Sequence, residues 1–301
     1  MNKGIFYAAG AYIAWGLLPI YWKALHHASV FEILAHRIVW ALLIALGLLA
    51  ARRHWAWLGQ ALRSGRTLLA FAASALLLSV NWFVYIWAVN AGNIVETSLG
   101  YFINPLVNVL LGVLFLKERL RPGQGLAVAV ALAGVLYLTV LYGSFPAIAV
   151  ALALSFGLYG LLRKTAALGA LEGFTLETLL LVPPALAYLG YREAMGAATF
   201  TFADPLTALL LVGAGGVTAA PLLLFAVGAR RIQLTTLGII QYMAPTLQFA
   251  IGVLLYGEPL SPQRLAGFVL IWIALAIYTL EGALRVRRRP SVTAPSPASS
   301  Q

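Results

Sequence analysis

The 301-residue sequence predicts an all-α integral membrane protein of ten transmembrane helices arranged as two inverted five-helix repeats. Hydrophobic residues make up 62% of the chain and charged residues 10%, against about a quarter charged in an ordinary soluble domain. Apolar stretches long enough to cross a bilayer recur along the whole chain. A segment of the first half also returns in the second at a nearly fixed offset.

A span needs about 20 mainly apolar residues, and such stretches fall near 4–25, 30–51, 67–90, 94–116, 123–142, 145–162, 174–191, 206–228, 233–256 and 265–284. The first lacks a small-residue cleavage site followed by a soluble domain, so it is expected to remain as a helix. Pro290 to Gln301 are rich in Pro, Ser and Ala, and 286–301 read as a disordered cytoplasmic tail. The chain has no cysteine, and its four histidines lack ligand-type spacing, so neither a metal nor a cofactor is expected.

The net charge of +11 reads as topology. With the amino terminus inside, sixteen Lys and Arg fall in inner loops and three, Lys23, Arg192 and Arg264, in outer ones, while Arg37 lies within a span. This positive-inside bias puts both termini in the cytoplasm of a bacterial-type inner membrane. No basic loop is long enough to present a nucleic-acid-binding domain.

The repeat joins the fourth and ninth spans. LGYFINPLVNVLLGVLFLKERL from Leu99 matches LGIIQYMAPTLQFAIGVLLYGEPL from Leu237, pairing Pro105/Pro245, Gly112/Gly252 and Glu118/Glu258 at an offset of 140. Before the proline the offset is 138, as in Thr97/Thr235. The first and sixth spans echo at 141 through Trp15/Phe156, Gly16/Gly157 and Lys23/Lys164. A unit of five spans makes the second copy enter the bilayer from the opposite side. Residues 1–142 and 143–285 are the two expected repeats, an arrangement typical of secondary transporters with sites near the midplane. Gene duplication without transport is the plainer alternative.

Tyr101, Pro105, Asn108 and Gly112 share one helical face, as do Gln241, Pro245, Gln248 and Gly252. Polar stripes are unfavourable against lipid, so both are expected to face a central cavity, widened by Asn104 and Tyr242. Asn and Gln also serve as interhelical glue. Pro105 and Pro245 are hinge candidates. Trp82 and Tyr85 beside Asn81 on the third span, Trp15 on the first and Tyr159 on the sixth add aromatic rings with polar edges, suited to an organic solute. An interfacial belt is the other reading of such rings, and it suits Tyr21, Trp22, Trp55 and Trp57.

Charges inside a membrane are functional candidates by default. Arg37 either holds a substrate carboxylate or pairs with Glu96 as a clamp. Glu32 and His36, one turn apart, form a possible pair. Glu96 and Glu177 lead the proton-coupling candidates, with Glu32 and His36 behind them. A stabilising acid at a helix start explains Glu177 equally well. Glu118 and Glu258 end their helices beside loops and read as structural anchors. There is no phosphate loop, dinucleotide fingerprint or zinc-protease pair, which excludes ATP-driven pumping by this chain.

The segments AYIAWGLLPIYWK from Ala11, EILAHR from Glu32, NWFVYIWAVN from Asn81, SLGYFINPLVNVLLGVLFLKERL from Ser98, SFGLYGLLRK from Ser155 and LGIIQYMAPTLQFAIGVLLYGEPL resemble the drug/metabolite transporter superfamily. Within it they are similar to EamA-type exporters of the RarD kind. The resemblance implies ten helices in two inverted repeats, with a cavity lined mainly by the first, third, fourth, sixth, eighth and ninth. It also implies export of small metabolites or drugs, with amino-acid-like and amphenicol compounds as examples, and supplies no coupling residue.

The expected protein is therefore a secondary transporter rather than an enzyme, working as a monomer or homodimer in the lipid bilayer on a small-molecule solute. Its energy would come from protons or downhill flow. An integral-membrane enzyme acting on a lipid-linked substrate is the alternative, and it would need a clustered acid, base or nucleophile at one interface. A channel is disfavoured by the lack of a charged ring.

Overall fold

A computed structural model describes residues 3–117, 119, 121–141, 145–201, 203–229, 231 and 240–288. Glu118, Thr235, Leu237, Gly238 and most of the expected tail lie outside the described residues.

The described chain is helical. The first half holds α1 (Lys3–Ala24), α2 (Val30–Arg52), the short α3 (Ala56–Arg63), α4 (Gly65–Asn90), α5 (Ile94–Leu116) and α6 (Pro122–Leu136), which continues as a π-helical turn over Tyr137–Leu141. The second holds α7 (Ala147–Thr165), α8 (Ala170–Ala194), α9 (Pro205–Ala229), α10 (Met243–Ala250) with its π-helical end Ile251–Leu255, and α11 (Pro262–Arg288). Eight of these helices are long and apolar enough to cross a membrane, and α7 and α10 with its π-helical end are the shorter apolar pair. Together they are the ten expected spans, and α3 is an extra element between the second and third. Trp57 and Ala61, four residues apart on α3, bury one face near Leu49, Phe71 and Leu176. Large apolar side chains such as Leu69, Leu114, Leu209 and Leu254 stay exposed, as expected of surface that meets lipid.

Helix starts follow local chemistry. Ser64 accepts the Thr67 N–H at 3.3 Å to cap α4, and Asp204 accepts both the N–H and hydroxyl of Thr207 to cap α9. Those donors hold the Asp204 carboxyl below its usual range.

The two halves pack by one rule. α1 lies on α9 as α7 lies on α4, α5 on α7 as α10 on α1, and α2 on α9 as α8 on α4. The remaining main contacts, α2 with α8, α6 with α11 and α5 with α10, join each helix to its own repeat partner. Exchanging the halves leaves this pattern unchanged, as a pseudo-twofold requires. Side chains repeat the symmetry. A Cβ on Gly16 would meet Leu247 at 2.8 Å and one on Gly157 would meet Val107 at 3.0 Å, and Val107 and Leu247 are themselves repeat mates. Lys117 and Gly257, 140 residues apart, both leave their helices in the left-handed region, at φ 54° and 63°.

That turn explains the Gly257–Glu258 pair. The left-handed glycine reverses the chain after α10, and the Glu258 carboxylate reaches the start of α5. It accepts the N–H groups of Ile94 at 2.6 Å and Val95 at 2.8 Å. A buried carboxylate on two open donors at a helix N-terminus is a charge-assisted cap. Glu258→Ala is expected to lower stability by about 1.5–3 kcal/mol. Thermal unfolding in detergent measures this, with Glu258→Gln recovering part of the loss.

Candidate functional site

With ten spans alternating in direction, the start of α1 and the end of α11, beside the termini, fall on one face of the bundle. On the opposite face, three carboxylates join the halves. Glu258 caps α5. Glu96 accepts the Ile148 N–H at 2.9 Å and lies 3.9 Å from Arg264. Glu32 accepts from Arg192 at 3.3 Å, from the Thr199 N–H and hydroxyl at 2.6 and 2.8 Å, and from the Phe200 N–H. Two expected pairs are thereby corrected. Glu32 does not pair with His36, whose Nδ1 accepts from Trp40 instead, and Glu96 does not clamp Arg37. Glu32 and Glu96 each find a backbone donor and a cation at a helix end, a stronger set than the single partner expected from the sequence.

Beneath that layer the polar stripes cross the interface. The expected direct facing of the stripes is replaced by packing on the other half's first helix. On α5, Asn104 donates to the Ala153 carbonyl at 3.3 Å, and Asn108 donates to Asn104 at 3.0 Å. Gln248 of α10 donates to the Trp15 carbonyl of α1 at 3.1 Å. Glycines on α7 and α1 admit this close approach. Asn81 of α4 donates to the Leu152 carbonyl and Ser155 hydroxyl of α7, at 3.1 and 3.0 Å. Tyr242 stacks on Phe102, and Gln241 is half-buried just before α10. Pro105 sits mid-helix in α5. Pro245 falls in the first turn of α10, where its missing N–H leaves no bond unmade.

A cavity of about 210 Å³ opens between α5 and α7, in the half of the bundle nearer the termini. It is lined by Asn108, Leu111, Gly112, Leu116, Gly157 and Gly160, with Leu161 completing the wall. A row of rings runs along the same seam: Tyr85 to Tyr101 at 5.7 Å, Tyr101 to Phe156 at 6.5 Å, and Phe156 to Tyr159 at 5.9 Å. Trp15 lies apart from that row, packed with Tyr12 and Phe225.

Two buried charges mark the ends of the ring row. Near the termini, fully buried Glu177 accepts from Ser74 at 2.6 Å and from Tyr159 at 3.4 Å, with Arg163 at 3.7 Å. It is a buried cross-helix acceptor rather than an interfacial acid. Gly173 makes room for Arg163, since a Cβ there would overlap the guanidinium. Toward the opposite face, Arg37 stacks 4.0 Å from the Trp82 ring and 5.1 Å from the Trp22 ring.

Trp22, Ser74, Arg163 and Arg192 thus join groups that sequence reasoning did not connect. Trp22 is fully buried and Trp57 nearly so, which corrects their placement in an interfacial belt, whereas Trp55 is exposed. A position near a span end mimics a belt, and only the packing of several elements around Trp22, with Ile33 of α2, Ile86 of α4 and Leu211 of α9 in its cluster, reveals otherwise. Arg163 and Arg192 registered only as loop charges.

Comparison with known proteins places this architecture. Residues 2–140 match the EamA-like transporter family. "Protein RarD" of Streptomyces exfoliatus is 48% identical over 289 residues, covering 96% of this chain and 91% of that protein. "Uncharacterized transporter YojE" of Bacillus subtilis is 49% identical over 285 residues, covering 92% and 94%. A solved crystal structure shares the fold with a TM-score of 0.57, over 94% of this chain and 98% of that one, at 22% identity. Two five-helix halves packed by one symmetric rule, and relatives this similar over nearly the whole length, lead to one conclusion: the chain belongs to the EamA-like transporter family, among its RarD-type members, and is a multi-pass inner-membrane transporter.

Proposed function

We propose that the chain is a secondary exporter of a small organic solute, with residues 1–142 and 143–285 rocking against each other around the seam of α4, α5 and α7. The observation that carries this reading is an asymmetry. A cavity lies between α5 and α7 nearer the termini, while three carboxylates tie the halves together on the opposite face. The excess of Lys and Arg beside the termini supports a cytoplasmic assignment for that face. The arrangement suits a state that loads solute from the cytoplasm. Pro105 is the better hinge of the two prolines, because it alone interrupts a continuous helix.

Among the proton-coupling candidates, Glu177 suits the role best. It is buried on the seam with neutral hydroxyl partners and one cation, so a change in its charge would act on both halves. Glu32 and Glu96 are tied to backbone donors at the opposite face, and His36 lies against Phe200.

Proteoliposomes holding the full chain under an imposed pH gradient, screened with amino acids and amphenicol-type drugs, test the reading. Solute movement that responds to the gradient is expected. Asn108→Leu should slow it about tenfold, equivalent to about 1.4 kcal/mol, by filling the cavity with an apolar branch. An Asn108→Leu protein that inserts normally and transports at the wild-type rate would remove the cavity from the pathway.

A further inference from the structure

Arg37 lies seven residues into α2, about 10 Å along the helix axis. It is only 5% exposed, and its Nε and Nη1 are buried without a hydrogen-bond partner among the described residues. The acid on its own helix and the one expected to clamp it are already engaged. Glu32 on the same helix binds Arg192, Thr199 and Phe200, and Glu96 binds Arg264 and Ile148. Every side chain identified around the guanidinium is aromatic: Trp22 of α1, Trp82 and Tyr85 of α4, and Tyr101 of α5.

A guanidinium removed from water needs a counter-charge, and ring faces offset only part of the loss. The buried Tyr85 hydroxyl beside it also lacks a partner. Three N–H donors, on Nε and Nη1, and the Tyr85 O–H thus lie together with no anion among the described residues to receive them. The free donors, the single positive charge and the planar fork match one carboxylate. A doubly charged phosphate would leave net negative charge between two indoles. From Tyr101 the rings continue through Phe156 to Tyr159 beside the cavity, a surface for a flat apolar body.

We propose that Arg37, with the Tyr85 hydroxyl, binds the carboxylate of the transported solute, and that the solute is a monocarboxylate with an aromatic or similarly flat body. This rests on the transport reading above and adds the substrate class. The competing role for Arg37 is a purely structural stack between Trp22 and Trp82.

Binding of radiolabelled phenylacetate to the full chain in detergent separates the two roles. Saturable binding is expected, displaced by unlabelled phenylacetate but not by phenethylamine, which keeps the ring and reverses the charge, and only weakly by acetate, which lacks the ring. Arg37→Gln should weaken binding about tenfold or more. Arg37→Lys keeps the charge, guards against misfolding of the Gln variant, and should still weaken binding because the planar fork is lost. No saturable binding to the wild type, equal displacement by phenethylamine, or wild-type affinity in both variants would each overturn the proposal. Carboxylate binding at Arg37 with no solute crossing in proteoliposomes would sink the transport reading alone. Transport with no preference for carboxylates would sink this one alone.

Discussion

Glu177→Leu is expected to destabilise the protein by about 3–5 kcal/mol, the range for removing one partner of a buried, hydrogen-bonded charge pair. Leucine fills similar space, so the loss is polar rather than steric. Tyr159 loses its carboxylate acceptor, Ser74 is left with the Phe71 carbonyl, and Arg163 keeps, among the described residues, the carbonyls of Gly169 and Ala170 and its stack on the Phe71 ring. The contact also spans the halves, since Ser74 belongs to α4 and Glu177 to α8, so the damage falls on the interface. Glu177→Gln keeps an acceptor oxygen for one hydroxyl and turns an N–H toward the oxygen of the other, so it should unfold closer to the wild-type temperature than the Leu variant, while losing any response of transport to a proton gradient. Fluorescence-detected size exclusion after heating, run on both variants, reads the stability difference. A Leu variant as stable as wild type would mean that water already reaches this carboxyl and that the cluster holds nothing together.

The spans and their duplication were legible because both depend on patterns local to the chain. Apolar runs mark the helices, and the pairs Pro105/Pro245 and Gly112/Gly252 mark the repeat without any knowledge of contacts. α3 was not legible as a helix, since eight residues between two long apolar runs carry too few turns to show a period. Arg37 stood out because a charge among apolar neighbours is conspicuous, but its stacking on Trp22 and Trp82 depends on three helices meeting. Glu258 read as a loop anchor, yet what it anchors lies 164 residues earlier, at Ile94. Glu32 and His36 show the opposite error. One-turn spacing suggested a pair, and the chain instead brought Thr199 and Arg192 to the carboxylate. Local spacing reveals which residues can meet within an element; it carries little about acceptors and donors supplied from another.

The same logic isolates the motion. If the halves rock, the carboxylate-tied face must open in each cycle, and Glu96 on α5 and Arg264 on α11 must separate from their present 3.9 Å. The chain contains no cysteine, so two introduced thiols can be linked without competing sites. Glu96→Cys with Arg264→Cys, joined by a short bifunctional thiol reagent with a reducible bridge, ties α5 to α11 across the interface. Linked protein in proteoliposomes should lose essentially all solute transport, regain it on reduction, and still bind solute from the face bearing the termini. Full transport with the link intact, verified by the failure of the thiols to accept a second label, would contradict a mechanism in which the two halves move apart on that side.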